Sequence, residues 1–139
     1  MKKIIFLLSF ITLSTFSQSV VGKWKTIDDE TGQAKSIVEV FEKSGKIYGK
    51  VLEIFDEKHK NDLCKECSGD DKNKPILGMI ILKGLTKDDN EYSGGKIVDP
   101  KNGKTYKCTI NLEGKDKLKV RGYIGFSLIG RSQYWLRVK

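Results

Sequence analysis

The sequence predicts an all-β fold, a single small up-and-down antiparallel β-barrel of about eight strands. Three observations carry this reading. Beyond the N-terminal segment, apolar residues come in short runs broken by glycine and polar clusters at fairly regular spacing, with no long helix-period pattern. Several of those breaks have the chemistry of tight hairpin turns. The chain also opens its first strand on Gly22-Lys23-Trp24 and closes on a strand holding Trp135 and Arg137, so the two ends are natural partners across a barrel seam. Closure removes the exposed sheet edges that an open eight-strand sheet would carry. A two-sheet sandwich is the alternative.

The elements follow in order. Residues 1–17 read as a signal peptide: Lys2 and Lys3 form a basic start, Ile4 to Ile11 are almost all apolar, and Thr15 and Ser17 suit a peptidase site before Gln18. The apolar run is too short to anchor the chain in a bilayer. The expected localisation is therefore export, to the periplasm or beyond, with residues 18–139 forming one barrel domain and no integral membrane segment in the mature chain. Strands are expected near Val20–Ile27, Ala34–Phe41, Ile47–Phe55, Ile76–Leu82, Glu91–Val98, Lys104–Leu112, Lys117–Tyr123 and Ser132–Val138. Glu42-Lys43-Ser44-Gly45-Lys46 places glycine where a short loop needs positive φ. In Asp99-Pro100-Lys101-Asn102-Gly103, Asp99 can accept from the backbone ahead of it, Pro100 fixes φ, and Asn102-Gly103 tolerates left-handed geometry. Glu113-Gly114-Lys115-Asp116 makes the next return. One connection breaks the rhythm: Asp56 to Pro75 is long and polar, a length that in a compact domain calls for a function or a tether.

The tether is expected from cysteine. An exported chain favours disulfides, and Cys64 and Cys67 lie three residues apart in that loop, whereas Cys108 alternates with Tyr106, Ile110 and Leu112 and reads as a small buried hydrophobe. A thioredoxin-like redox role would need a helix behind the Cys-x-x-Cys, and none is predicted. A zinc site would have Cys64, Cys67 and the lone His59 as only three ligands. No metal and no cofactor is predicted.

The net charge of +8 falls to about +6 once Lys2 and Lys3 are removed. Lysines interleave with acids, and no basic stripe with interleaved aromatics marks a nucleic-acid partner. A solvated basic surface is the plain reading; weak attraction to anionic envelope components is the sharper one.

Taken together, Gly22-x-Trp24, Cys64-x-x-Cys67, Gly95-x-Ile97-x-Asp99-Pro100-x-Asn102-Gly103-Lys104-x-Tyr106 with Cys108, Arg121-Gly122-Tyr123-x-Gly125 and Gly130-Arg131-x-x-x-Trp135-x-Arg137 resemble the bacterial family catalogued as domain of unknown function 2147. The resemblance covers nearly the whole mature chain. It implies an exported, lipocalin-like barrel with no established activity. Gly22-x-Trp24 also resembles the first-strand motif of the wider lipocalin-like superfamily, which implies a tryptophan closing one barrel end beneath an arginine of the last strand, here Arg137.

Catalytic patterns are missing. Gly125 to Gly130 misses the nucleophile-elbow spacing by one residue, a single histidine leaves a Ser-His triad only His59, and the acids sit mainly in turns. The favoured function is a non-enzymatic barrel of the cell envelope that binds a small apolar or amphipathic ligand, with Tyr48, Tyr106, Arg121, Tyr123, Arg131 and Tyr134 as the candidate contacts. The alternatives are a filled barrel that uses the cysteine loop to contact an envelope protein, and a small envelope enzyme.

Overall fold

The computed structural model describes residues 5, 7, 19–125 and 129–139, so the signal-peptide reading lies outside the described residues. Eight strands run β1 Gly22–Ile27, β2 Ala34–Lys43, β3 Lys46–Ile54, β4 Ile80–Asp88, β5 Glu91–Val98, β6 Thr105–Glu113, β7 Lys117–Tyr123 and β8 Gly130–Arg137. Each pairs antiparallel with its sequence neighbour, and β1 pairs with β8 to close the barrel. No helix of the described residues is long and apolar enough to cross a membrane.

Up-and-down order sorts the connections by end. The tight β2–β3, β4–β5 and β6–β7 returns share one end with both ends of the barrel chain. The β1–β2, β3–β4, β5–β6 and β7–β8 connections share the other, which forms the mouth. Hairpin chemistry sets the first group: Ser44 and Gly45 both take positive φ, as a two-residue turn matched to strand twist requires.

Side chains pointing inward fill the half of the barrel away from the mouth. Trp24, Val38, Val40, Leu82, Leu85, Cys108, Ile110 and Leu118 are fully buried there. Burial in this apolar setting pushes the Cys108 thiol up to about 12, so it packs rather than reacts. The end itself is sealed by Trp24 and Arg137, whose Cα positions pair across the β1–β8 seam. The Arg137 guanidinium carbon lies 4.3 Å from the Trp24 ring centroid. Its Nη2 and Nε donate to the carbonyls of Ser19 and Lys115 at 2.8 Å, and Nη1 to that of Val21 at 3.3 Å. Trp24 Nε1 donates to the Val20 carbonyl at 2.8 Å. Gly22 makes room: at φ +144, a Cβ here would lie 2.8 Å from Arg137 Nη1.

One strand departs from the sequence reading. The stretch expected to begin a strand at Ile76 belongs to the preceding loop, and β4 runs instead from Ile80 to Asp88. Ile76 N–H donates to Asp62 O, and Gly78 turns the chain at φ +89 before donating to Val51 O. The polar second half of β4 carries no apolar run because residues 86–88 lie exposed at the closed end.

Candidate functional site

The mouth half of the barrel is not filled. It holds a cavity of about 1090 Å³, open to solvent, reaching from the connections down to Trp135. Its inner walls are apolar, with Val51, Ile54, Ile81, Ile97, Val120 and Trp135. The polar groups among them are neutral. Thr26 and Ser36 share a hydroxyl hydrogen bond at 2.7 Å, Trp135 Nε1 reaches Gln133 Oε1 at 3.4 Å, and Asn102 Nδ2 donates to the Tyr106 hydroxyl at 3.2 Å. Alternation along the strands turns Thr26, Ser36 and Tyr106 inward, with Asn102 reaching Tyr106 from the exposed β5–β6 turn; in β8 the phase that buries Trp135 also turns Gln133 inward.

The charged groups lie toward the rim, where Lys35 and Lys65 line the opening and Arg131 and Lys101 pair with carboxylates. Arg131 forks onto Asp29, with Nη2 at 2.8 Å from Oδ1, and also reaches Glu30 Oε1 at 3.1 Å. These carboxylates, Asp29 first, hold the guanidinium above its usual value. Lys101 lies 3.6 Å from Asp28, linking the β5–β6 turn to the β1–β2 loop over the cavity. Backbone N–H groups of Glu30 and Thr31 hold the Asp28 carboxyl below its ordinary range.

The long loop forms one side of the mouth and is a built structure. Cys64 and Cys67 are bridged, and both sulfurs are buried in the main core cluster rather than left in a solvated tether. Cys64 N–H donates to Lys74 O and Asn73 N–H to Cys64 O, folding the loop back on itself. Two short 3₁₀ turns, Glu57–His59 and Gly69–Asp71, lead into and out of this knot, and Asp71 pairs with Lys83 of β4. His59 is exposed, 2.7 Å from Asp62 Oδ2, and lines the rim. The loop docks on the Asp99–Gly103 turn. Asp99 accepts from Lys101 N–H at 2.9 Å, Asn102 from Lys104 N–H at 2.8 Å, and Gly103 sits against the Glu66–Cys67 peptide.

The six sequence candidates for ligand contact divide. Tyr106, Tyr123 and Arg131 line the cavity or its rim. Tyr48 faces outward and stacks on Phe41 with centroids 5.9 Å apart, and Tyr134 faces outward under Lys117 Nζ at 4.5 Å. Arg121 lines a shallow outer groove with Glu91, Ser93, Thr109, Lys119 and Tyr123, and its Nη1 is 3.5 Å from Ser132 Oγ. The deep wall residues Val120, Gln133 and Trp135 were not among the six. The signal for the last two is in the sequence: counting back by twos from Arg137 reaches Trp135 and Gln133 and passes over Tyr134.

The chain belongs to the bacterial family DUF2147, described as uncharacterized protein conserved in bacteria, whose profile matches residues 22–137. Among solved structures it is similar to protein HP1028 from the human pathogen Helicobacter pylori, described as belonging to the lipocalin family. The TM-score is 0.77, the identity 24%, and the match covers 88% of this chain and 85% of that one. At that identity the likeness is one of fold, an eight-stranded lipocalin-like barrel. No curated protein matches the chain.

Proposed function

We propose that this chain is an exported, non-enzymatic binding protein that holds one small, largely apolar molecule in the mouth half of its barrel. The supporting observation is the cavity of about 1090 Å³, apolar at depth with a few converging neutral polar groups. A lipocalin-like barrel is a suitable container, though a shared fold does not carry a ligand with it. The chemistry of the walls favours a ligand with an uncharged head. Thr26, Ser36 and Gln133 offer neutral hydrogen-bonding groups inside the barrel, while the lysines and Arg131 that line the cavity sit at its rim, Arg131 and Lys101 being engaged by carboxylates there.

A neutral apolar fluorophore such as N-phenyl-1-naphthylamine should brighten on binding and quench Trp135 by energy transfer. Gly122 lines the cavity at an ordinary φ, and a Cβ there would meet Ile97 and Tyr106 at 3.5 Å, so Gly122→Leu projects a side chain into the space. That variant should keep its far-ultraviolet spectrum and bind the probe at least about tenfold more weakly. Unchanged affinity in the filled variant, or no probe binding by the parent, would remove the proposal.

Export rests on the basic start and apolar run of residues 1–17, and a buried disulfide suits an oxidising compartment. N-terminal sequencing of protein recovered from the cell exterior or periplasm should begin close to Gln18. A stable mature form that keeps Met1 to Phe16 would contradict it.

A further inference from the structure

We propose that the outer wall formed by β6, β7, β8 and β1 docks the protein side-on against an anionic membrane surface. Charge on the barrel is unevenly distributed. These four adjacent strands present Lys23, Lys25, Lys107, Lys117, Lys119 and Arg121 on their outer face, and Glu113, at the end of β6, is the one carboxylate within them. Each of the other four strands carries at least one carboxylate among its lysines. Register brings the cations together, with Lys117 and Lys25 both opposite Leu136, Lys119 opposite Tyr134, and Arg121 opposite Thr109. Among the described residues, the five lysines of this wall take part in no ion pair.

The middle of the wall argues for a bilayer over other polyanions. Tyr134 and Leu136 are 39% and 45% exposed, side by side along β8, and the Lys117 ammonium lies over the Tyr134 ring. Tyrosine has an apolar body with a polar tip and settles at headgroup depth. Lysine stems can lie along such an apolar centre while their ammonium groups reach outward to phosphates. A nucleic-acid duplex offers phosphates but no apolar layer for Leu136. Near an anionic leaflet each basic residue adds about 1 kcal/mol of attraction, falling off within a Debye length. The same strand then serves both sides of the barrel wall: Trp135 and Gln133 face the cavity, Tyr134 and Leu136 face out. The mouth lies at the barrel end, so contact along this wall leaves it uncovered. The inference stands apart from the cavity reading, and either can fail alone.

Co-sedimentation of the mature chain with vesicles tests it. Phosphatidylcholine vesicles containing a minority of phosphatidylglycerol should carry the protein down at low ionic strength, pure phosphatidylcholine vesicles should not, and added salt should release it. The triple variant Lys25→Gln, Lys117→Gln, Lys119→Gln should bind on the order of 100-fold more weakly. A charge-matched triple on the opposite wall, Lys43→Gln, Lys46→Gln, Lys50→Gln, should bind as the parent does. Tyr134→Ser with Leu136→Ser should weaken vesicle binding while leaving any affinity for a short DNA duplex unchanged. No binding to the anionic vesicles would overturn the proposal, as would equal losses from the two lysine triples. So would tighter binding to the duplex than to vesicles with no effect of the Tyr134 and Leu136 changes, which would mark the wall as a general polyanion surface.

Discussion

Trp24→Ala is expected to destabilise the barrel by about 3–5 kcal/mol, read as a fall in the denaturation midpoint at unchanged denaturant slope. The indole is fully buried and forms the plug of the closed end. Its loss opens a cavity that rigid strands cannot collapse around, because hydrogen-bonded neighbours hold every wall in register. It also strands Arg137. That guanidinium reaches the carbonyls of Ser19, Val21 and Lys115 while resting on the indole face, so the ring fixes the fork that ties the segment before β1 to the β6–β7 turn. Arg137→Lys keeps the charge but loses the planar fork, and it too should cost stability, in the range of one to a few carbonyl hydrogen bonds, about 1–3 kcal/mol. The two substitutions should not add. A double-mutant cycle should return a coupling above about 0.5 kcal/mol, the stacking and cation–π contribution plus the lost pre-orientation. Strict additivity with two mild single effects would mean that the seam is held by the β1–β8 ladder alone.

What the sequence could reveal was whatever is written in local pattern. The pairing of Trp24 with Arg137 joins the two ends of the chain and is what the lipocalin-like resemblance implies, whereas strand phases and the Ser44-Gly45 and Asn102-Gly103 turns follow from period-two alternation and turn chemistry within a few residues. The start of β4 did not, because Ile76 and Leu77 are apolar for a different reason. They belong to the loop that folds onto the barrel, and Ile76 packs against the main core from there. The candidate site was legible only in part. Tyrosine and arginine suit ligand contact by residue type, and type does not say which side of a barrel wall a residue faces. Tyr134 and Trp135 are adjacent in sequence and point to opposite media. Nothing local announces that Lys101 would meet Asp28, or that Arg131 would meet Asp29 and Glu30. Those contacts join the β1–β2 loop to the β5–β6 turn and to the start of β8, and exist only once the barrel closes.

Gly103→Ala should be the most damaging single-methyl change in the mouth, with a loss of about 3 kcal/mol or more and release of the cysteine loop. Two independent penalties fall on one residue. Its φ is +70, a region where a side chain is strained. A Cβ there would lie 1.9 Å from the carbonyl oxygen of Glu66, 2.1 Å from its carbon and 2.6 Å from the Cys67 nitrogen. All three are backbone atoms of the disulfide knot, so no rotamer change relieves the overlap, and either the turn or the loop must move. Asp99 and Asn102 hold the turn through Lys101 N–H and Lys104 N–H, so the loop is expected to yield. Gly114 separates the two penalties. It has a matching φ of +71 in the β6–β7 turn, and an added methyl there would find nothing within 4 Å, so Gly114→Ala carries the conformational cost alone, about 1 kcal/mol. The excess at Gly103 measures the docking of the loop on the turn. Limited trypsin digestion should localise it, with faster cleavage after Lys65 or Lys72 in Gly103→Ala only, since undocking exposes that backbone before the barrel unfolds. If the two alanine variants lose equal stability and digest alike, the loop and the turn are neighbours without being coupled, and the mouth of the cavity is not held by their contact.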